Sequence, residues 1–217
     1  MSDWHARWQQ GRIGFHRADV HPALRAYERR FVGDRPHRVF VPLCGKTVDI
    51  PWLVSRGHEV VAVELVDQAV RELHAEHGID ATVTREPPFS VYRSPGLTVY
   101  QGDFFALRTE HVGVVDRVWD RASLIALPVD LRRRYAAHLS RLVTAPWAML
   151  LCTIEYDPAV MDGPPFSVAE AEVRDHYRGC RVEILDRRDA IANEPRWRAR
   201  GHRYWIETTY WIATDGE

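Results

Sequence analysis

Hydrophobic and polar positions change period several times along the chain, and the changes mark out its elements. Val39-Phe40-Val41 is a β-branched and aromatic start that Pro42 stops from continuing as a regular ladder, so it reads as a strand. Cys44-Gly45-Lys46-Thr47 is a turn. Val48 to Val54 reads as a short helix, with Pro51 tolerable only near its start, closed by Gly57. Val60-Val61-Ala62-Val63 is an uninterrupted apolar run of the kind a parallel strand buried on both faces requires, and it ends on Glu64. Residues 39–65 therefore hold a complete βαβ unit, and the other elements are arranged around it.

Upstream, Trp4 and Trp8 lie four apart and share one face of a helix that Gly11 and Gly14-Phe15 break. Residues 1–35 are expected to form a helical lid; the alternative is that the two tryptophans simply pack on the core. His21-Pro22 opens a second helix, with Leu24, Tyr27 and Phe31 near helical spacing and Gly33-Asp34 at its end. Downstream, Gln68 to His77 reads as a helix with Ala69, Val70 and Leu73 inward and Gly78 as its cap. Asp80 to Ser90 is expected to be irregular, with Pro87-Pro88 ruling out regular structure. Leu97 to Tyr100 is a strand running into Gly102-Asp103-Phe104. Val114 to Trp119 is the next, ending on Asp120-Arg121; Pro128 to Leu142 is a helix and Trp147 to Thr153 a fifth strand. Arg132-Arg133-Arg134 is expected to be a solvated face, with a basic binding patch the weaker alternative.

Gly163-Pro164-Pro165-Phe166 is a rigid turn, and Ser167 with Glu170 forms a capping box for a helix to about Tyr177. Arg181 to Asp186 and Tyr204 to Ile212 are two final strands. Strand and helix thus alternate through five strands, with two further strands at the end. That order predicts an α/β fold: a doubly wound, Rossmann-like sheet, mostly parallel with an antiparallel edge.

Composition narrows the function classes. A length of 217 residues, 46% hydrophobic and 27% charged, suits one globular domain spanning 1–217. The net charge of −1 and a longest apolar run, Trp147 to Ile154, far below the ~18 residues of a membrane span imply no nucleic acid and no membrane partner. Met1-Ser2-Asp3-Trp4-His5 carries no basic-then-apolar signal, and Cys44, Cys152 and Cys180 make no pair motif. A cytoplasmic monomer with reduced thiols is expected. His74 and His77 lie three apart and match neither zinc-helix spacing, so no metal is expected. There is no Gly-x-Ser-x-Gly elbow, and Cys44 reads as a small buried thiol rather than a nucleophile.

Chemistry then falls to the strand ends. Glu64, at the carboxyl end of the second strand and about 20 residues past the first turn, sits where ribose hydroxyls need an acceptor. A phosphate-binding P-loop needs glycine five positions before Gly45, where Phe40 stands; a dinucleotide fingerprint needs three glycines, and Leu43-Cys44-Gly45-Lys46 offers one. A ribose site without a phosphate cradle favours S-adenosylmethionine over NAD or ATP. The alternative is a plain crossover whose Glu64 merely tips a strand. Leu43, Glu64, Asp103 and Arg121 follow successive strands and converge where open α/β sheets bind ligands, with Phe104 as an apolar wall for adenine. Asp120-Arg121 could equally be an ion pair steadying a turn, and Asp103 a helix cap.

Val41-Pro42-Leu43-Cys44-Gly45-Lys46, Gly57-His58-x-Val60 leading to Val63-Glu64, Trp119-Asp120-Arg121-Ala122-Ser123-Leu124-Ile125, Gly163-Pro164-Pro165-Phe166 and the N-terminal Trp4-x-x-x-Trp8 with Gly14-Phe15-His16 resemble the thiopurine S-methyltransferase family, in order, from Trp4 to about Val173. The tail, Asn193 to Ile212, departs from the family pattern. The resemblance implies a class I S-adenosylmethionine-dependent enzyme that methylates a sulfur acceptor, thiopurine-like or another small thiol, or a selenium or tellurium compound. It implies that Trp8, Leu43, Glu64 and Arg121 contact the cofactor, that Asp103-Phe104 lies beside the adenine, and that Phe15 and Arg121 lie near the acceptor. Arg121 is the candidate catalytic residue, favouring the thiolate. Readings that keep the fold but change the function are an O- or N-methyltransferase, an NAD-linked oxidoreductase disfavoured by the missing glycines, and a non-catalytic ligand sensor.

Overall fold

The computed structural model describes residues 3–144, 146–193 and 195–216. Met1 and Ser2 of the N-terminal segment and Glu194 of the tail lie outside them. The chain forms two compact units: one runs to Trp119 and takes in 142–144, the other comprises Asp120–Arg141 and the chain from Pro146.

The first unit holds α1 (Trp4–Gln9), α2 (Pro22–Ala26), α3 (Glu28–Phe31), β1 (Arg38–Val41), α4 (Asp49–Ser55), β2 (Glu59–Glu64), α5 (Asp67–Glu76), β3 (Thr82–Glu86), β4 (Phe89–Ser94), β5 (Leu97–Gln101), α6 (Thr109–Val112) and β6 (Arg117–Arg121), whose last two residues belong to the second unit. The strands lie in the order β3-β4-β5-β2-β1-β6. Those from β5 to β6 are parallel; β3, β4 and β5 are antiparallel. Val60, Val61, Ala62 and Val63 of β2 are fully buried between β1 and β5, and this accounts for their unbroken apolar run. Ile50 and Leu53 from α4 and Ala69, Val70 and Leu73 from α5 are buried as completely. Pro51 is the third residue of α4, where its missing N–H has no helical partner to lose.

Three expectations for this unit are corrected. Asp80 to Ser90 is not irregular: β3 and β4 form a hairpin from Thr82↔Arg93 to Glu86↔Phe89, and Pro87-Pro88 fills the two-residue loop where neither proline owes the ladder a donor. Every residue of β3 is exposed, so no alternating apolar face betrays the strand. The single helix from His21 to Phe31 is two, α2 and α3, separated at Tyr27. Strand β6 starts at Arg117, not at Val114, which is 72% exposed.

The second unit holds α7 (Val129–Leu142), whose last residue falls in the first unit, then β7 (Ala148–Glu155), α8 (Glu170–His176), β8 (Arg181–Asp189), α9 (Pro195–Arg198) and β9 (Ile206–Ala213). Here β9 lies between β7 and β8, antiparallel to both. The α/β fold with parallel core strands and an antiparallel edge is as expected, with β3 and β4 as added antiparallel strands. Arg132-Arg133-Arg134 is not uniformly solvated: Arg133 and Arg134 are exposed, but Arg132 is buried and forks onto both carboxylate oxygens of Glu172, at 2.5 and 2.9 Å. Burial works against it, yet the bonds from His176 and Arg132 take the Glu172 carboxyl down to about 2. Ser167 does not cap α8: its hydroxyl donates to the Tyr156 carbonyl and accepts the Tyr156 N–H, and Ala169 stands at the cap. The tail, described except for Glu194, packs on a stack, Trp197 on Trp205 at 4.5 Å and Trp205 on Tyr156 at 5.2 Å, with the Tyr156 hydroxyl donating to the Pro165 carbonyl.

Candidate active site

Past Pro42 the chain bends sharply: Leu43 has φ +47 and Gly45 φ +55. For leucine this left-handed backbone costs on the order of 1 kcal/mol, and hydrogen bonds at the turn hold it. The bend brings the Cys44 N–H onto the Val63 carbonyl at 3.0 Å and the Gly45 N–H onto Glu64 Oε2 at 2.8 Å. Glu64 Oε1 accepts the Val66 N–H at 2.8 Å, and the Glu64 carbonyl accepts the Gly102 N–H at 2.8 Å. One acid thus ties the turn after β1, the end of β2, the approach to α5 and the end of β5. Glu64 is buried, which pushes its carboxyl pKa up, while the N–H groups of Val66, Gly45 and Leu65 pull it down. A carboxylate accepts at about four positions, so these backbone donors do not exhaust it.

Trp8 and Phe15 lie over Gly45: a Cβ there would meet Trp8 at 3.5 Å and Phe15 at 3.6 Å, filling the space above the turn. Trp8 is only 3% exposed and packs with Val66 and Ala69; Trp4, Ile13 and Phe15 surround it. Phe15 stands edge-on to both tryptophans, 6.0 Å from each. The aromatic face predicted from the four-residue spacing is therefore real, and it covers the strand ends. Lys46 donates to Glu72 at 2.8 Å and Glu76 at 2.5 Å, so its ammonium braces the turn against α5. Cys44 is buried, and burial with the nearby Glu64 charge pushes its thiol well above the ordinary range, so it stays protonated.

At the end of β5, the exposed Asp103 accepts the Phe105 N–H at 2.9 Å and so caps the short turn Phe104–Ala106, with Phe104 buried behind it. Two contributors have no sequence signal. Gln101 holds the Leu65 carbonyl at 2.9 Å, beside the acid. Asp49, 2% exposed, accepts from the His21 N–H, the Thr47 hydroxyl and the Trp119 indole, fastening the turn to partners 28 and 70 residues away. Such separations leave no local pattern.

Trp8, Phe15, Leu43, Glu64, Asp103 and Phe104 all belong to the first unit. Arg121 belongs to the second, as the half-buried last residue of β6. Beside it Asp120 is fully buried, with Oδ2 accepting the Tyr135 hydroxyl at 2.7 Å and Oδ1 the Leu124 N–H at 3.2 Å. Burial pushes the Asp120 carboxyl up to about 6, against the hydrogen bonds of Tyr135, Leu124 and Ser123. Among the described residues no group of three or more His, Cys, Asp or Glu is placed to hold a metal ion, and no helix is long and apolar enough to cross a membrane.

Comparison with known proteins gives a family match and a fold match. The thiopurine S-methyltransferase family model matches residues 1–215. A thiopurine S-methyltransferase of Pseudomonas paraeruginosa is 43% identical over 208 residues, 95% of each chain. That of Pseudomonas putida is 41% identical over 97% of each, and that of Bordetella petrii 42% over 91% of each. Among solved structures, the chain is similar to a Burkholderia thailandensis 1,6-didemethyltoxoflavin N1-methyltransferase with bound S-adenosylhomocysteine, at TM-score 0.60 and 19% identity, covering 97% of this chain and 85% of that one. It is also similar to an S-adenosylmethionine-dependent methyltransferase of Methanosarcina mazei, at TM-score 0.58 and 13% identity, covering 90% and 98%.

Proposed function

The chain belongs to the thiopurine S-methyltransferase family, and from that premise we propose that it moves the methyl group of S-adenosylmethionine to a small sulfur acceptor, thiopurine-like or another thiol, or to a selenium or tellurium compound. The observation that carries the cofactor half of this reading is Glu64, a buried acid at the tip of a parallel strand whose backbone hydrogen bonds leave part of its acceptor capacity unfilled. The residues present fit the group: an acceptor for ribose hydroxyls, a left-handed turn at Gly45 covered by Trp8 and Phe15, and Phe104 for the adenine.

S-adenosylmethionine supplies an electrophilic methyl on a sulfonium, released to leave a thioether that needs no proton. Little acid–base work is left to the protein, in keeping with the neutral, buried Cys44 thiol. Glu64 orients the ribose; Leu43, Asp103 and Phe104 border the same strand ends; Trp8 and Phe15 keep water away from them. Holding the reacting groups together and dry supplies the rate. Arg121 favours the anionic form of the thiol by its fixed positive charge. The family relatives are thiopurine S-methyltransferases by name, and this supports the sulfur assignment.

A cofactor-consumption assay across thiols, thiopurines, selenite, tellurite, phenols and amines tests the proposal. Turnover of at least one thiol or thiopurine well above every phenol and amine is expected. Turnover confined to phenols or amines would move the acceptor from sulfur to oxygen or nitrogen. Binding of S-adenosylhomocysteine with no turnover of any acceptor would make the protein a sensor.

A further inference from the structure

The Asp120–Tyr135 pair is costly, and its hydrogen bonds lie beside Arg121 rather than at Glu64. Both side chains are fully buried, and an acid in such a place is tolerated only if its oxygens are used. One oxygen serves the loop that follows and the other a helix. Asp120 Oδ1 takes the N–H of Leu124, four residues on, closing a loop that contains Arg121, Ala122 and Ser123. Within that loop Ala122 has φ +64, a left-handed backbone that a residue with a Cβ adopts only when its surroundings impose it. The Ser123 hydroxyl contacts the Arg121 carbonyl at 3.5 Å from inside the same loop, and Ser123 is fully buried. Asp120 Oδ2 takes the Tyr135 hydroxyl, and Tyr135 lies in the middle of α7, the longest helix among those described, so the clamp is anchored on a rigid element.

From this geometry, and resting on the acceptor role proposed for Arg121, we infer that Asp120 is a positioning residue. Its carboxylate, braced by Tyr135, holds the left-handed turn at Ala122 and thereby sets where the Arg121 guanidinium points. A cap that merely ends a strand would not need a second anchor on a helix. Asp120 acts on the acceptor through Arg121 and not by direct contact.

The test is a double-mutant cycle with a readout that a purely structural role leaves unmoved. Parent, Asp120→Asn, Arg121→Ala and the double variant are saturated with S-adenosylhomocysteine. Each is titrated with 6-mercaptopurine, and the thiolate fraction of the bound ligand is read by ultraviolet absorbance against pH; kcat and KM are measured alongside. Asp120→Asn is expected to shift the bound thiol's ionisation toward higher pH and to lower kcat by about tenfold or more, with S-adenosylhomocysteine affinity measured in each variant so that cofactor saturation is kept. In the Arg121→Ala background it should add nothing. Should Asp120→Asn unfold the protein, Tyr135→Phe removes one leg of the clamp and is expected to give the same shift, smaller. Full, undiminished effects of Asp120→Asn on top of Arg121→Ala would overturn the inference while leaving Arg121 as the acceptor residue. So would a parent-like profile in Asp120→Asn. An Arg121→Ala enzyme with parent turnover and an unshifted profile would overturn both, and it is told apart by that single variant.

Discussion

Replacement of Glu64 separates two jobs the structure gives to one carboxylate. Its oxygens accept the Gly45 and Val66 N–H groups, each at 2.8 Å, in a site where the residue is 6% exposed. Glu64→Ala leaves both donors buried and unpaired, at ~1–3 kcal/mol each, or ~2–6 kcal/mol in all. Against a total of ~5–15 kcal/mol, that is a large loss of fold stability before any ligand is added. Glu64→Gln is the cleaner probe. Its single carbonyl oxygen keeps one N–H satisfied and its amide faces the other, so the unliganded protein should lose only about half as much. The ribose hydroxyls lose a charged acceptor, worth ~1.5–3 kcal/mol, and affinity should fall about 10- to 150-fold. S-adenosylmethionine and S-adenosylhomocysteine share the ribose, so both should weaken alike. Thermal unfolding without ligand reads the first job, and isothermal calorimetry with each ligand reads the second. If Glu64→Gln binds S-adenosylhomocysteine as tightly as the parent, the ribose assignment is wrong. If Glu64→Ala melts with the parent, the bridge between turn and strand contributes nothing.

Three further outcomes follow from the same residues. Hydrogen exchange over 4–15 should slow when S-adenosylhomocysteine binds, and removing residues 1–15 should abolish turnover with the fold retained; unfolding on truncation would show Trp8 to be core packing on Val66 and Ala69 rather than a lid. Asp120 has its carboxyl raised from 3.8 to about 6, so its contribution is fully present below about pH 3.8 and is lost as pH rises through about 6, by roughly 3 kcal/mol. The stability of Asp120→Asn relative to the parent should therefore climb over that window and level off above it, and a flat difference in melting temperature against pH would contradict the burial of the acid. Arg132→Met should destabilise by ~1–3 kcal/mol, because it removes both fork bonds and leaves Glu172 with His176 as partner, whereas Arg133→Met should stay within ~0.5 kcal/mol; equal denaturation midpoints for the two would refute the buried fork.

Val60 to Val63 is short, mostly β-branched and apolar throughout, which favours a buried strand over a helix, and the proline and glycines around Val39 to Leu65 mark the turns that connect it. The βαβ unit, the acid at its tip and the aromatic face of Trp4 and Trp8 were therefore legible in sequence, because each depends on neighbours within one or two turns of chain. The motif Pro42-Leu43-Cys44-Gly45-Lys46 carried the family for the same reason. Hairpin β3–β4 was not legible: its first strand faces water throughout, so burial wrote no pattern into Thr82 to Glu86. Nor could local sequence separate Arg132 from Arg133 and Arg134, since only packing against α8 decides which of three adjacent cations meets Glu172. Ser167 had a capping partner three residues on and bonded instead to Tyr156, eleven residues back. Asp49 and Asp120 took their meaning from His21, Trp119, Leu124 and Tyr135. Short-range order in this protein is set by periodicity and turn chemistry; the partner of each buried polar group is set by which distant segment arrives beside it, and that is fixed only when the chain closes on itself.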